Sequence, residues 1–373
     1  METPGVLYFS RSLGLHDRRF LERIRRFGCP VWFLGVTPAA VPEALPPDVT
    51  PLAFSRRYVL DDPGDRRAMA RELAALAAAV RPDVIHAGPV HDCGHIAALA
   101  GVRPLVVMSW GSDLLLDAPS DPVVRDAART ALAACDGFCC DCRTVAQAAA
   151  ALTDMAGKPC ALFPWGTDCR AFRPRGEGDA VPLPPDWAGA KVVLSLRSFE
   201  PVYGIDTVLS AFALAQAREA SLRLLLPGDG SLVPLVRRRV AAEGLEGLVL
   251  LPGRIPSPEL PPYYRAADVY LSASHSDGSS VSLLEAMASG LPAVVSDLPA
   301  NREWVEEGRN GWLAPVDQPA RFAEGLVRAV RLGAGARAAM AGRNRERALA
   351  DADWEANTMR LFDLYRRLAA DLA

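Results

Sequence analysis

One carboxylate stands where carboxylates are rarely found. In the stretch SHSDGSSVSLLEAMASGLPAVVSD (274–297), Glu285 falls among Leu283, Leu284, Ala286, Met287 and Ala288 in a short apolar helix. An ionised Glu in such company is costly unless something hydrogen-bonds it. The Ser- and Gly-rich loop ahead of it brings free N–H groups and a helix dipole to bear on any anion at the helix start. Phosphate at that start, with hydroxyls reaching the buried carboxylate, is the chemistry this spacing offers. Asp277 adds a second carboxylate in the loop, where Asp also suits a plain helix cap. His275 lies beside the loop and is a candidate to touch the same ligand.

Other candidates sit at the ends of apolar runs. Ser10–Leu15 (SRSLGL) follows the first run, and Gly14 there lets backbone approach a phosphate. Trp110 and Asp113 (WGSD) follow LVVM, Arg197 follows VVLSL, Gly228 and Gly230 (PGDG) follow LRLLL, and Gly253-Arg254-Ile255 follow LVLL. Each alone reads as an ordinary turn. The chain has no G-x-S-x-G elbow, no P-loop and no G-x-G-x-x-G after its first strand, which argues against hydrolase, kinase and ordinary dehydrogenase readings.

The elements that must position these residues alternate. VLYF (6–9), VWFL (31–34), VIH (84–86), LVVM (105–108), GFCC (137–140) and ALF (161–163) are separated by helical patterns, which predicts right-handed βαβ units and a parallel sheet. A Pro-rich stretch from Phe172 through Pro185 reads as a linker. VVLSL (192–196), LRLLL (222–226), LVLL (248–251), VYLS (269–272) and AVV (293–295) then begin a second series. The expected fold is α/β, with two Rossmann-like domains and a cleft between the C-terminal ends of their strands. The boundaries expected are 1–175, completed by 354–373, and 176–353.

The chain of 373 residues suits two domains. Its net charge of −3 gives no reason to expect nucleic acid. No apolar run approaches the roughly 20 residues of a membrane span, and the N-terminus lacks a signal-peptide pattern, so a cytoplasmic protein is expected. Cys139 and Cys142 have C-x-x-C spacing without a second pair, and His91, Cys93 and His95 crowd one helical turn. Neither arrangement closes a metal site, and free buried thiols are expected. In HDRRFLERIRRFG, Phe20, Leu21, Ile24 and Phe27 form one face while Arg18, Arg19, Arg23, Arg25 and Arg26 crowd the rest. That pattern is a solvated helix face or, alternatively, a patch resting on anionic lipid at the inner face of a membrane.

DGSSVSLLEAMASGLPAVVSD resembles the signature of the retaining glycosyltransferases of family 4, which have the GT-B fold. PDVIHAG (82–88), FPWGTDCRAFRP (163–174), YGIDTVLSAF (203–212), YYRAADVYLSAS (263–274) and the late DADWEA agree with it. The resemblance implies transfer of a sugar from a nucleotide-diphosphate sugar to an acceptor hydroxyl of a glycan, glycolipid or small molecule. It also implies polysaccharide-type biosynthesis, no cofactor, no metal and no protein nucleophile, and a C-terminal helix crossing back to the first domain. In the family two acidic residues are separated by seven; Asp277 and Glu285 have that spacing. Glu285 would hold the ribose hydroxyls, and the N–H groups of Ser279, Ser280, Val281 and Ser282 would meet the sugar and diphosphate. Asp277 would bond the sugar hydroxyls, Arg197 would neutralise the diphosphate, Gly253, Arg254 and Ile255 would border the base, and Gly14 would lie near the phosphates. Four departures stand out. Asp277 replaces Glu, Tyr203 replaces a phosphate-binding Lys, the loop from Arg197 to Gly204 is one residue longer, and Trp110 replaces a His. They keep two alternatives open: a GT-B epimerase or phosphorylase, or a non-catalytic nucleotide-sugar-binding protein.

Overall fold

The structure, a computed structural model, describes residues 3–37 and 45–371. The chain divides into two compact units, 1–163 with 358–373, and 164–357. The first holds β1 (Val6–Ser10), β2 (Val31–Gly35), β3 (Val49–Leu52), β4 (Val84–Ala87), β5 (Leu105–Met108), β6 (Gly137–Cys140) and β7 (Cys160–Leu162). They form one parallel sheet in the order β3-β2-β1-β4-β5-β6-β7. The order reverses between β1 and β4, so the loops leaving these two strands diverge and open a crevice at their C-terminal ends.

The second unit repeats the plan with β8 (Lys191–Leu194), β9 (Leu222–Leu225), β10 (Val249–Leu250), β11 (Val269–Ser272), β12 (Ala293–Ser296) and β13 (Gly311–Ala314). Its parallel order is β10-β9-β8-β11-β12-β13, and the reversal falls between β8 and β11. Two strands carry no clear sequence signal. β3 (VTPL) contains Pro51, tolerated because the strand is an edge, and β13 (GWLA) is a short edge opened by a glycine.

Both faces of the second sheet are covered. On one, the helices Ile205–Gln216 and Pro319–Val330 bury Phe212, Phe322 and Leu326. On the other, the helix Val281–Ala288 packs with Tyr264, Tyr270, Phe172 and Trp187. That burial explains why this helix is apolar on nearly every side apart from Ser282 and Glu285, a pattern of enclosed rather than surface helices.

The boundary lies ahead of the expected 175, because residues 164–175 are anchored in the second unit. Thr167 N donates to Ala352 O at 2.8 Å, and Arg345 donates to Cys169 O at 2.7 Å and Phe172 O at 2.6 Å. The Pro-rich stretch is packed as well, with Trp187 Nε1 donating to Gly247 O at 3.1 Å.

The last helix, Met359–Ala370, belongs to the first unit. Phe362 stacks on Phe27 at 4.5 Å, Arg360 Nη1 donates to Leu162 O at 3.0 Å, and Tyr365 meets His86 Nδ1. His86 is completely buried on β4, and burial pushes its pKa down to about 3. The folded ring stays neutral between that value and the ordinary 6.5, whereas the unfolded chain binds a proton there. Stability is therefore full above about pH 6.5 and falls as pH drops, by at most about 1.4 kcal/mol per pH unit from this group. Denaturant titrations of wild type and His86→Gln between pH 7 and pH 4 check this: wild type should lose stability faster than the variant.

Candidate active site

The loop after β11 reaches the helix Val281–Ala288 through Ser280, whose backbone is extended as at a helix N-cap. Its hydroxyl makes no cap bond. It accepts instead from Arg197 Nη1 at 2.5 Å, across the strand-order reversal from the loop after β8. The first-turn amides have no acceptor inside the helix in any case, so diverting the cap hydroxyl leaves the helix start open to an external anion.

Arg197 is the centre of the site. Its Nη2 pairs with Asp277 Oδ2 at 2.9 Å, and its guanidinium lies over the Tyr203 ring at 4.1 Å. The side chains of the pair are only 11% and 16% exposed. Burial works against the Arg197 charge, yet Asp277 and the neighbouring hydroxyls outweigh it and hold the pKa above the usual arginine value. Asp277 is raised by burial, with Arg197 pulling the other way. The guanidinium stays charged at any working pH, so the counter-charge opposite it is what makes the burial tolerable.

A run of polar contacts leads inward from this pair. Ser280 Oγ lies 3.2 Å from Ser282 Oγ, which meets Tyr270 OH at 2.7 Å. Tyr264 OH donates to Glu285 Oε2 at 2.6 Å and lies 3.3 Å from Ser282 O. Glu285, 6% exposed, thus obtains the partner its surroundings demand. Burial, followed by the charge of Glu285, raises Tyr264 well above an ordinary tyrosine, so its hydroxyl remains a donor. Trp304 Nε1 donates to Ser279 Oγ at 3.2 Å and ties down the loop.

Two glycines shape the ground beneath Arg197. Gly204 has φ +59°, and a Cβ there would lie 2.1 Å from Ala273 O; only glycine lets the chain turn so tightly after Tyr203. A Cβ on Gly228 would lie 2.3 Å from the Phe199 ring and 2.7 Å from Arg197 O. The loop from Arg197 is therefore seated on a glycine. Gly228 N also donates to Gly253 O at 3.0 Å, bringing Gly253 and Arg254 to the rim of a hollow of about 230 Å³ that Phe199, Asp229, Val236 and Arg237 also line. Ile255 packs partly buried against the core of the second unit.

The remaining candidates divide. His275 is exposed, and its Nε2 meets Asp317 Oδ1 at 2.9 Å. In the first unit, Trp110 packs against Phe20 and His16, with ring centroids 6.0 and 5.8 Å away. Asp113 is 1% exposed; its oxygens accept from Val90 N at 2.9 Å, Ser109 Oγ at 2.6 Å and Leu114 N at 3.1 Å, which makes it a clamp between two loops. Gly14 N already donates to Asp17 Oδ2 at 2.9 Å, so the start of the helix Leu15–Arg26 is capped by the chain's own carboxylate. Three arginines of that helix are engaged by the chain itself, Arg18 pairing with Glu22 at 2.9 Å on the surface, Arg23 donating to Thr358 Oγ1 at 2.7 Å and Arg25 donating to Cys29 O at 2.8 Å, while Arg26 is exposed. Among the described residues no group of His, Cys, Asp and Glu is placed to hold a metal, and no helix is long and apolar enough to cross a membrane.

Tyr264 and Tyr270 are the residues sequence reasoning missed. Both lie in the YYRAADVYLSAS segment, where their signal is hidden because a tyrosine in an apolar run reads as core.

Two doubly wound units, with Arg197 and Glu285 gathered at the reversal of the second, define the GT-B class. The sequence profile described as "Glycosyl transferases group 1" matches residues 190–331, and "Glycosyl transferase 4-like" matches 47–141. Parts of both units thus match glycosyltransferase profiles, and the chain is similar to the glycosyltransferases of family 4. A D-inositol 3-phosphate glycosyltransferase of Catenulispora acidiphila is 31% identical over 219 residues, 56% of this chain and 50% of the relative. A peptide N-acetylglucosaminyltransferase subunit of Streptococcus gordonii is 34% identical over 113 residues, 30% of this chain and 22% of the relative. The chain thus spans half or less of the length of these curated relatives. Among solved structures, HepE of Anabaena in complex with UDP superposes with a TM-score of 0.81 at 16% identity, covering 98% of this chain and all of the other. Sucrose-phosphate synthase of Thermosynechococcus elongatus gives 0.79 at 21% identity, again with 98% and 100% covered.

Removing the Tyr264 hydroxyl strips Glu285 of a charged hydrogen bond without altering shape. Tyr264→Phe should lower stability at pH 7 by about 1.5–3 kcal/mol, measured by urea denaturation.

Proposed function

We propose that this chain is a retaining glycosyltransferase that takes a nucleotide-diphosphate sugar as donor and an acceptor hydroxyl as its second substrate. The observation that carries the reading is the continuous polar network from Asp277 through Arg197, Ser280 and Ser282 to Tyr264 and Glu285, set at the β8/β11 reversal. Its two ends match the two ends of such a donor. Glu285 offers a pre-oriented carboxylate to the ribose hydroxyls, and the N–H groups of Ser279, Ser280, Val281 and Ser282 meet the sugar and diphosphate. Arg197 gains a second anion as negative charge collects on the leaving diphosphate when the bond from the sugar carbon breaks. Asp277 meets the sugar hydroxyls while retaining its hold on Arg197, and Gly253–Ile255 border the base.

Tyr203 gives the network a brace where the family resemblance leads one to expect a Lys. An aromatic face under a desolvated guanidinium contributes about 1–2 kcal/mol and holds the fork in one plane. Arg197 therefore acts alone but pre-positioned. HepE has been crystallised with UDP, with UDP and glucose, and with UDP-glucose, which makes UDP the first base to test here.

Thermal-shift titrations with UDP-, GDP-, ADP- and TDP-sugars identify the donor through ligand-linked stabilisation. With the responding nucleotide, Glu285→Ala should weaken binding about tenfold to a hundredfold, measured by calorimetry. Unchanged affinity in a folded variant removes the ribose assignment. Conversion of donor with no acceptor present would move the protein to the epimerase reading, and nucleotide binding with neither transfer nor hydrolysis would leave a binding protein.

For the brace, Tyr203→Ala should lower kcat about tenfold, whereas Tyr203→Phe, which keeps the ring, should stay within about twofold of wild type. Equal losses in both variants would show that the hydroxyl rather than the ring face matters.

A further inference from the structure

The eight cysteines are not alike. Seven are buried and Cys160 is exposed. Cys139 and Cys140 end β6, Cys142 follows two residues on, and Cys160 opens β7, the three-residue edge strand of the first sheet. Burial pushes the thiols of Cys29, Cys135 and Cys169 up to about 11 and that of Cys139 well above the ordinary value. Such thiols are poor nucleophiles, because the thiolate is the reacting form.

Cys160 has a different neighbour. Cys140 Sγ lies 4.0 Å from Cys160 Sγ and 3.8 Å from Cys142 O. A thiol has one proton to give, and a thiolate accepts it more strongly than a carbonyl does. Once Cys160 ionises, the Cys140 S–H therefore turns from the carbonyl to the anion. That contact, the largest influence on Cys160, holds its thiol below the ordinary value against the opposing effect of desolvation, and it raises Cys140. Cys135 and Cys139 feel the Cys160 charge as well, and Lys158, two residues ahead, is held at 2.7 Å by Ala133 O and Cys135 O.

The strand register decides whether the pair can close on itself. Cys160 lies opposite Phe138 and Cys140 opposite Leu162, so the two cysteines share one face of the sheet on a diagonal. A strand spacing of about 4.8 Å and two residues of about 3.3 Å rise separate their Cα atoms by roughly 8 Å. A disulfide spans no more than about 7 Å without backbone movement. The sulfurs touch, but they are not placed to bond.

We propose that Cys160 is a modification site that takes up a low-molecular-weight thiol as a stable mixed disulfide, with Cys140 as a hydrogen-bonding neighbour that does not resolve the product. The Cys160 thiolate, its proton given to water, attacks one sulfur of a small disulfide RS–SR. The bond from Cys160 Sγ to that sulfur forms, the S–S bond of the reagent breaks, and the departing RS⁻ takes up a proton. The Cys160 sulfur is oxidised and the departing sulfur reduced. The adduct then persists until an external thiol removes it. It lies at the N-terminal end of β7, on the opposite edge of the sheet from the β1/β4 reversal, and is independent of the nucleotide-sugar reading.

Incubation of the reduced full chain with glutathione disulfide at pH 7, followed by intact-mass and peptide-mapping mass spectrometry, tests the site. One glutathionyl group per chain is expected, on Cys160, released by dithiothreitol and absent from Cys160→Ser over the same interval. Cys140→Ala should react about threefold more slowly, because the smaller thiolate fraction outweighs the gain in nucleophilicity, and should reach its half-maximal rate at higher pH. Cys140→Ser, which keeps a donor, should stay within about twofold of wild type. No adduct on the folded chain, or adducts on the buried cysteines as fast as on Cys160, overturns the site. An unchanged pH profile in Cys140→Ala overturns the part given to Cys140. Conversion of the adduct into a disulfide between Cys140 and Cys160 overturns the mixed disulfide as the stable product.

Discussion

The ion pair between Arg197 and Asp277 is the constraint on which the second unit's site depends. A guanidinium buried to this extent is tolerable only with a counter-charge and satisfied donors, and the chain supplies both from one loop: Asp277 and, three residues on, Ser280. Because Ser280 serves Arg197, it does not cap its own helix, and the helix start stays open. Because Arg197 must lie flat to reach both partners, the chain beneath it turns sharply at Gly204 and sets the Tyr203 face against it. One electrostatic requirement thus explains a missing cap, an obligatory glycine and an unusual tyrosine.

The same logic accounts for the buried Glu285. Its carboxylate is tolerated because Tyr264 donates to it, and the tyrosine in turn is locked as a donor by burial. Two carboxylates eight positions apart therefore have unlike environments. Asp277 is paired with a permanent cation, and Glu285 with a neutral hydroxyl that a competing hydroxyl can supplement. That asymmetry is what a ligand with a charged middle and polyhydroxy ends requires.

The two units place their polar clusters at equivalent points, the strand-order reversals β1/β4 and β8/β11. In each, an arginine just past the first strand of the unit meets an acidic residue from the loop after the strand beyond the reversal: Arg11 with Asp92, Arg197 with Asp277. The environments differ. Arg197 is enclosed with its partners and stacked on an aromatic ring, whereas the Arg11 side chain is half exposed. Gly14, which the loop sequence suggests for phosphate, donates its N–H to Asp17, and Arg11 three residues earlier pairs with Asp92.

By itself, the sequence determined what depends on near neighbours. The alternation of apolar runs and helices was enough for two parallel sheets, and the apolar company of Glu285 was enough to mark a carboxylate in need of a partner. The family resemblance suggested roles for Asp277 and Arg197. What only the tertiary structure decided is who meets whom across long separations: Arg197 with Ser280, Tyr264 with Glu285, and Arg11 with Asp92. The same distance effect turned Asp113 into a clamp, and it set His91 and His95 of the His91, Cys93 and His95 knot against Arg11 and Arg66. Periodicity and turn chemistry are set within a few residues and so are readable along the chain. Charge pairing at strand ends is set by the order in which strands enter the sheet, and that order exists only once the chain has folded.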